Sequence, residues 1–524
     1  MLSCTSPVSP LHVFSARPFL CLLFGLALST SLFGSTGGEA DRGAQLAHVA
    51  LARADTLWDE RAGLLWTAPA DRPNRGHGVR PTSWYALGLL WRDQPGDHER
   101  ALQAFTAVLD QQIREPGRAW DGTFYRRAEE PRPPGRAEMW RDYDPNWRQF
   151  IGCVFAQALI TFEDRLPAEM VQRMESAIVR ALEGELAQGR LRPDYTNIAV
   201  MHGFLLGFAG QRLQRPEWIA TAEEWVGQIH REFSAFGTFE EYNSPTYYGV
   251  DLYGLALLRA SGATPTLRKV GAEMEAELWR DIARFYHAGL RNLAGPYDRA
   301  YGMDLTDHLA LTGLWIGMVV PAEASPLPPL EGPIKHGSDL LFAPCFVLLG
   351  AQVPAEVHSE LVRFSGERRV ERPIADGHRI ATAWLGSDLM IGAQHTALGR
   401  GVADADSQFY PATAHWRRPD GGISWLALRE CSRVNAVAEP SRLKIESIGH
   451  ARFRLHAPDA DASAWTAHEW TLPGLTIRVD TDAVAFHARR VGDLWEIEYR
   501  DATQFDLHFV AAASAVAAVN PPQS

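Results

Sequence analysis

Cysteine is scarce in this chain of 524 residues: five in all, Cys4, Cys21, Cys153, Cys345 and Cys431. So sparse and odd a set is no disulfide framework, and at most one bridge is possible. Basic charge is also short, with 51 Lys and Arg against 63 Asp and Glu and a net charge of -12. That balance excludes a nucleic acid as the main partner, because such proteins carry a basic face. The apolar run Pro18 to Gly34 is too short and too interrupted to be a comfortable membrane span. Also missing are a G-x-S-x-G elbow, a phosphate-binding loop, an H-E-x-x-H pair and a dinucleotide-binding glycine pattern. His395, His415 and Glu430 lack ligand spacing, so no metal is expected, and no cofactor.

What is present begins with Arg17, the apolar run and the small residues Ser35 to Ala40. That order reads as an export signal over residues 1–40 and predicts a secreted or periplasmic protein with no membrane attachment after its removal. Cys4 and Cys21 would leave with it, while Cys153, inside "FIGCVFAQAL", has the setting of a small buried hydrophobe. From residue 41 to 320 apolar residues recur three and four apart in segment after segment. Amphipathic segments rich in Glu and Arg alternate with shorter ones apolar nearly all round, as outer and inner helices would. With no strict repeat, this predicts an N-terminal (α/α) toroid, an incomplete barrel of helical hairpins. Residues 321–338 form a proline-rich linker. Over 339–524, short runs from "LLFAPCFVLLG" to "FDLHFVAAAS", bounded by turn residues, predict a C-terminal antiparallel β-sandwich.

Polar residues cluster where helices begin. In "FGTFEEYNSPTYYGVDLYGL" (Phe236 to Leu255) the Asn243-Ser-Pro interruption sets Tyr247 and Tyr248 at a loop-to-helix junction, with Glu241 holding either the loop or a substrate. "RPDYTNIAVMHG" offers Tyr195 and Asn197, where Thr196 or Asn197 caps a helix or Asn197 faces a carboxylate. His202 is a base or a hydrogen-bonded core histidine. "RNLAGPYDRAYGMDLTDH" presents Asp298, Arg299, Tyr301 and Asp304 before a helix, with His308 one turn beyond Asp304. Arg299 grips an acidic group or closes a salt-bridged loop. In "YDPNWRQF", Asn146 and Trp147 start a helix that Asn146 can cap. His77, Arg80, Trp84 and Tyr85 stand at another helix entrance, Trp84 being a sugar platform or core. The segment Ser407 to Trp416 has the character of a sandwich loop reaching the cleft.

Gly237, Thr238, Phe239 and Glu241 resemble the G-[ST]-F-x-E loop of the heparinase II/III and alginate-lyase superfamily, in which a tyrosine follows the glutamate. Here that tyrosine is Tyr247 or Tyr248, about two positions late, and the Asn146-Trp147 helix start is similar as well. The resemblance implies a divergent polysaccharide lyase that cleaves an acidic poly- or oligosaccharide by β-elimination. Removing the C5 proton of a uronate builds charge on its carboxylate, so a neutralising group, a base and an acid are all required. The candidates in this sequence for that chemistry are Tyr247, Tyr248, Asn197, His202, Arg299 and Tyr301. The candidates for substrate binding are Asn146, Trp147, His77, Arg80, Trp84, Tyr85, Glu241, Asn243 and Asp304. Two other readings stand beside the lyase: a glycoside hydrolase with Glu240, Glu241 and Asp304 as paired carboxylates, and a glycan-binding exoprotein without chemistry. Nothing in the sequence sets the oligomeric state.

Overall fold

The computed structural model describes residues 37–67, 76–374, 377–402 and 407–511, all in one compact unit that begins at Gly37. Of the expected export segment, residues 1–36 lie outside the described residues and residues 37–40 open the first helix. Among the described residues twelve α-helices come first: α1 (Gly37–Asp55), α2 (Val79–Arg92), α3 (Asp97–Asp110), α4 (Trp147–Phe162), α5 (Ala168–Gln188), α6 (Thr196–Arg212), α7 (Pro216–Phe236), α8 (Tyr247–Ser261), α9 (Pro265–Phe285), α10 (Leu311–Val319), α11 (Ala343–Leu349) and α12 (Ala355–Val362).

Helices α4, α6, α8 and α10 are buried nearly all round, whereas α3, α5, α7 and α9 bury one face and turn Glu, Arg and Lys outward. Start and stop signals agree with the sequence: Pro216 and Pro265 open α7 and α9, and Gly189 and Gly237 close α5 and α7 in the left-handed conformation. Pairs α2/α3, α4/α5, α6/α7 and α8/α9 form hairpins, and α2, α4, α6, α8 and α10 are successive neighbours, with α1 against α10. Because an antiparallel outer helix follows each of the first four inner helices, the inner helices share one direction. Their N-termini therefore gather at one rim, where the positive ends of their dipoles add. Contacts between these ends confirm it: Arg80 lies over Trp147, Asn146 reaches Tyr195, and Thr312 N donates to Pro245 O (3.0 Å). Gly249 allows the last of these approaches, since a Cβ there would sit 2.3 Å from the Leu311 carbonyl carbon.

An eleven-stranded antiparallel sheet follows, from Arg368–Ile374 to Gln504–Ala511. Its long strands Ile423–Glu439 and Arg442–His456 serve two layers, bending at irregularities between Leu428 and Glu430 and between Cys431 and Arg433. One half of Arg442–His456 pairs with Leu494–Arg500 and the other with Gln504–Ala511, which folds the sheet into a sandwich. Trp416, Phe453, Trp470 and Tyr499 fill its interior. Ile374, Ala381, Leu385 and Met390 join the helical core instead, so sheet and helices share one apolar interior.

Two local expectations are corrected. "LLFAPCFVLLG" forms the end of a 3-10 helix (Gly337–Phe342) followed by α11, not a strand, packed on α1 and α2; a short run without polar punctuation has no period to separate the two forms, and Pro344 suits a helix start. The first helical segment, whose apolar spacing runs from Ala44 to Leu65, ends as a helix at Asp55 and turns into a hairpin, Trp58–Asp59 with Leu64–Thr67, through Gly63 at φ +65°. Cys153, Cys345 and Cys431 are buried free thiols. Among the described residues no helix is long and apolar enough to cross a membrane.

Candidate active site

At the rim of helix N-termini, the turn before α8 carries Glu241 inward. Its Oε2 accepts from Thr196 Oγ1 (2.6 Å) and Asn197 Nδ2 (2.9 Å), and its Oε1 accepts from Arg299 Nη1. Arg299 also donates from Nη2 to the Tyr247 hydroxyl (2.8 Å), lays its guanidinium over the Tyr247 ring (4.1 Å), and donates from Nε to Gln408 Oε1 (3.0 Å). Gln408 belongs to the sandwich loop, whose backbone binds the Arg299 loop through Ala300 N to Gln408 O (2.9 Å). Ser244 fastens the arrangement from below, donating to Arg299 O (2.6 Å) and accepting from Tyr247 N (3.0 Å).

The Tyr247 hydroxyl shares a second hydrogen bond with that of Tyr301 (2.5 Å), and Tyr301 is 40% exposed. Burial, followed by Tyr301, pushes the Tyr247 hydroxyl well above the ordinary phenol range, against the opposing pull of Arg299. Tyr247 thus holds its proton at neutral pH. Tyr301 stacks on His336 (5.2 Å between ring centres), and His336 packs at a tilt of 47° against His308 (4.3 Å). His336 stands in the left-handed conformation at φ +55°, a strained setting of the kind that collects at functional sites. Its ring makes no hydrogen bond among the described residues. His308 is pushed down to about 3, first by burial and then by His336, and its Nε2 has no partner.

The other sequence-predicted residues divide clearly. Tyr248 is in the core, its hydroxyl shared with Thr238 and donated to Asp281 Oδ2 (2.7 Å). Trp84 stacks on Phe342 (4.3 Å) and Tyr85 donates to Asp55 (2.5 Å); both are packed inside, so neither offers a face to a glycan. Asn243 donates to Ala294 O (2.7 Å) and Pro296 O (2.9 Å), tying two loops. Asp304 closes a turn through Asn292 (2.9 Å) and Thr306 (2.7 Å). His77 pairs with Glu129 and Asp59. His202 is buried against Trp225, and burial lowers it to about 4. Asn146 holds the N-cap position of α4 and Asn197 lies in the first turn of α6, but neither side chain makes a capping hydrogen bond. Arg80 lies over Trp147 (5.0 Å) and Phe150 (4.6 Å) at the same rim. His395, His415 and Glu430 go to separate partners, and among the described residues no group of three or more His, Cys, Asp or Glu is placed to hold a metal.

Sequence reasoning missed several participants. His336 lies in the proline-rich segment read as a linker; Gln408 was not named, although it belongs to the Ser407 to Trp416 loop expected to reach the cleft. Trp66 and Trp140, 43% and 48% exposed, are open tryptophans that no periodicity marks. Another is Asp251, one turn along α8 from Tyr247, fully buried with no partner for either oxygen. Burial, and then the Glu241 carboxylate, push it well above the usual carboxylate range. The folded state therefore binds a proton that the unfolded chain releases above its ordinary pKa, so this group costs stability increasingly as pH rises. Asp251→Asn is expected to melt higher than wild type at pH 7 to 8 and to lose that advantage near pH 4. A pH-independent difference in Tm would contradict the assignment.

Comparison with known proteins adds the fold. Residues 44–351 match the family described as "Domain of unknown function (DUF8769)" and residues 363–490 that described as "Domain of unknown function (DUF8770)". No curated protein matches by sequence. Among solved structures, a Streptomyces coelicolor A3 chondroitin AC lyase in complex with chondroitin sulphate aligns over 92% of this chain and 81% of its own, at 10% identity and a TM-score of 0.51. A heparinase III aligns over 93% and 87%, at 9% identity and a TM-score of 0.44. A glycosidase carrying a single substitution aligns over 63% of this chain and 99% of its own, at 16% identity and a TM-score of 0.36. The helical toroid followed by a β-sandwich is the fold of the chondroitin AC lyase.

Proposed function

The chain belongs to the family described as "Domain of unknown function (DUF8769)", and from its site we propose that it is a polysaccharide lyase cleaving a uronate-containing glycan by β-elimination. The observation that carries this reading is the Tyr247 hydroxyl, proton-bearing and held between the Arg299 guanidinium and the Tyr301 hydroxyl at the helix N-termini. Fold likeness to a lyase solved with chondroitin sulphate supports it. The gathered helix dipoles favour an acidic substrate locally, although the chain as a whole is acidic.

In this mechanism the C5 proton passes to a ring nitrogen of His336 and the C5–H electron pair forms the C4=C5 bond. The C4–O4 bond breaks, and Tyr247 protonates the departing oxygen. Arg299 stabilises the tyrosinate that remains, and Glu241 keeps Arg299 in place. Paired-carboxylate hydrolysis is disfavoured because its three candidates are committed elsewhere: Glu240 to Arg379 (2.6 Å), Glu241 to three donors, Asp304 to its turn. With residues 1–40 acting as an export signal, the enzyme works outside the cytoplasm.

The test offers a broad panel of uronate polymers to the purified chain and follows the ultraviolet absorbance of the conjugated C4=C5 bond. Absorbing ends are expected. Saturated reducing ends alone would replace this reading with hydrolysis, and binding without any product would reduce it to a glycan-binding protein.

A further inference from the structure

Beside the tyrosine site lies a second polar group that its chemistry does not use. Arg190 follows Gly189, the left-handed end of α5. Its Nη2 donates to Asn146 Oδ1 (3.0 Å) and to Glu185 Oε2 (3.1 Å), and its guanidinium stands 5.7 Å from the centre of the Tyr195 ring. Asn146 passes the contact on, donating from Nδ2 to the Tyr195 hydroxyl (3.3 Å). Glu185, 1% exposed, is the carboxylate in contact with Arg190, and it is already paired with the equally buried Arg148 (3.0 Å). His202, within the field of the same three charges, stays neutral because burial holds it at about 4. Two guanidinium groups thus share one carboxylate. Asp144 also lies in the field of Arg190, after Arg80 and Arg126, and burial raises it toward its neutral form.

The hydrogen-bond accounts point the same way. Arg190 Nε is buried without a partner, its Nη1 makes no hydrogen bond among the described residues, and the side chain remains 18% exposed. The Tyr195 hydroxyl accepts from Asn146 but finds no acceptor for its own proton among the described residues. Unspent donors beside surplus positive charge call for anionic oxygens. Tyr195 is joined to Thr196, which bonds Glu241, which bonds Arg299, so this group continues directly into the tyrosine site.

We propose that Arg190, Asn146 and Tyr195 form a second anion subsite that takes an acidic oxygen group of the bound glycan, a carboxylate or a sulfate ester, apart from the uronate at the cleaved bond. The proposal rests on the glycan reading above and deepens it. Arg190 fixes the anion and Glu185 fixes Arg190.

The experiment measures, by calorimetry on the whole chain carrying Tyr247→Phe, the affinity for two oligosaccharides of equal length, an unsulfated oligouronide and its sulfated counterpart. Arg190→Gln is expected to raise Kd about tenfold, the scale of one lost charge-assisted contact, and Tyr195→Phe to raise it severalfold with no change in Tm. In the cleaving enzyme Arg190→Gln raises KM by more than it lowers kcat, which a purely structural role would not do. Loss for both ligands assigns the subsite to carboxylate; loss for the sulfated one alone assigns it to sulfate. Should Arg190→Gln fail to fold, Tyr195→Phe decides. Wild-type affinity in the folded variants, or no affinity of the parent chain for either ligand, overturns the subsite. Binding without unsaturated product leaves the subsite standing and removes the lyase reading; cleavage with Arg190-independent binding does the reverse.

Discussion

Tyr247→Phe is expected to lower kcat by about two to four orders of magnitude, the usual worth of a positioned proton-transfer group, while Tyr248→Phe leaves turnover near the wild-type value and lowers stability. Adjacent residues on a helix point about 100° apart, and at the start of α8 that difference separates rim from core. Tyr247 turns its hydroxyl to Arg299 and Tyr301. Tyr248 turns into the packing between α8 and α9, where it donates to the buried Asp281, itself paired with Arg372 of the sandwich (2.8 Å). Removing the Tyr248 hydroxyl leaves Asp281 short of a donor, at a cost of about 1–3 kcal/mol. The phenylalanine at 247 keeps the ring under the Arg299 guanidinium, so substrate affinity falls less than kcat. Progress curves and thermal melts on the two variants read both effects. Equal kcat losses would place both tyrosines in the chemistry and contradict the separation.

The sequence carried the ring of helices because its signal is physical and local: an inner helix such as "IAVMHGFLLGFAG" must be apolar on every side, and an outer one such as "AEMEAELWRDIARF" must not. It carried the sandwich through short alternating runs. The gathering of Asn146, Asn197, Glu241 and Arg299 at one rim was foreshadowed too, since they stand before or at helix entrances where periodicity stops. The choice between Tyr247 and Tyr248 was not, because both begin the helix and only the packing of α9 and the Arg299 loop assigns their directions. His336 was hidden by its neighbours: prolines mark a linker, and nothing local says that the linker stacks on Tyr301. The partners of Glu241 come from α6 and from a loop 58 residues away along the chain. Such a convergence has no local trace. Asp251 reads in sequence as one polar residue in an apolar helix, and only full burial without a partner makes it unusual.

Glu185→Gln is expected to cost about 3–5 kcal/mol of folding stability, the scale for removing one partner from a buried ion pair. Arg148 is 1% exposed and places its other donors on Asp121 O and Ala119 O, so it cannot turn to water when its anion is lost. Arg190 then loses its anion as well, and the two guanidinium groups repel across a neutral amide. Arg148→Met removes one of the two cations and leaves Glu185 to Arg190, so its loss is smaller. In the double variant the charge-dependent part of the cost shrinks, and a cycle of the single and double variants measures that coupling directly. Denaturant unfolding gives the four stabilities. Additive losses would mean that the pair is screened or loosely packed. Through Arg190 and Asn146 the same carboxylate also orients the rim, so Glu185→Gln weakens binding of an acidic glycan as well as the fold. Arg148→Met, which leaves the Arg190–Glu185 contact intact, weakens chiefly the fold. Comparing the two variants in binding at a temperature well below either melt separates the orientation of the rim from the stability of the ring.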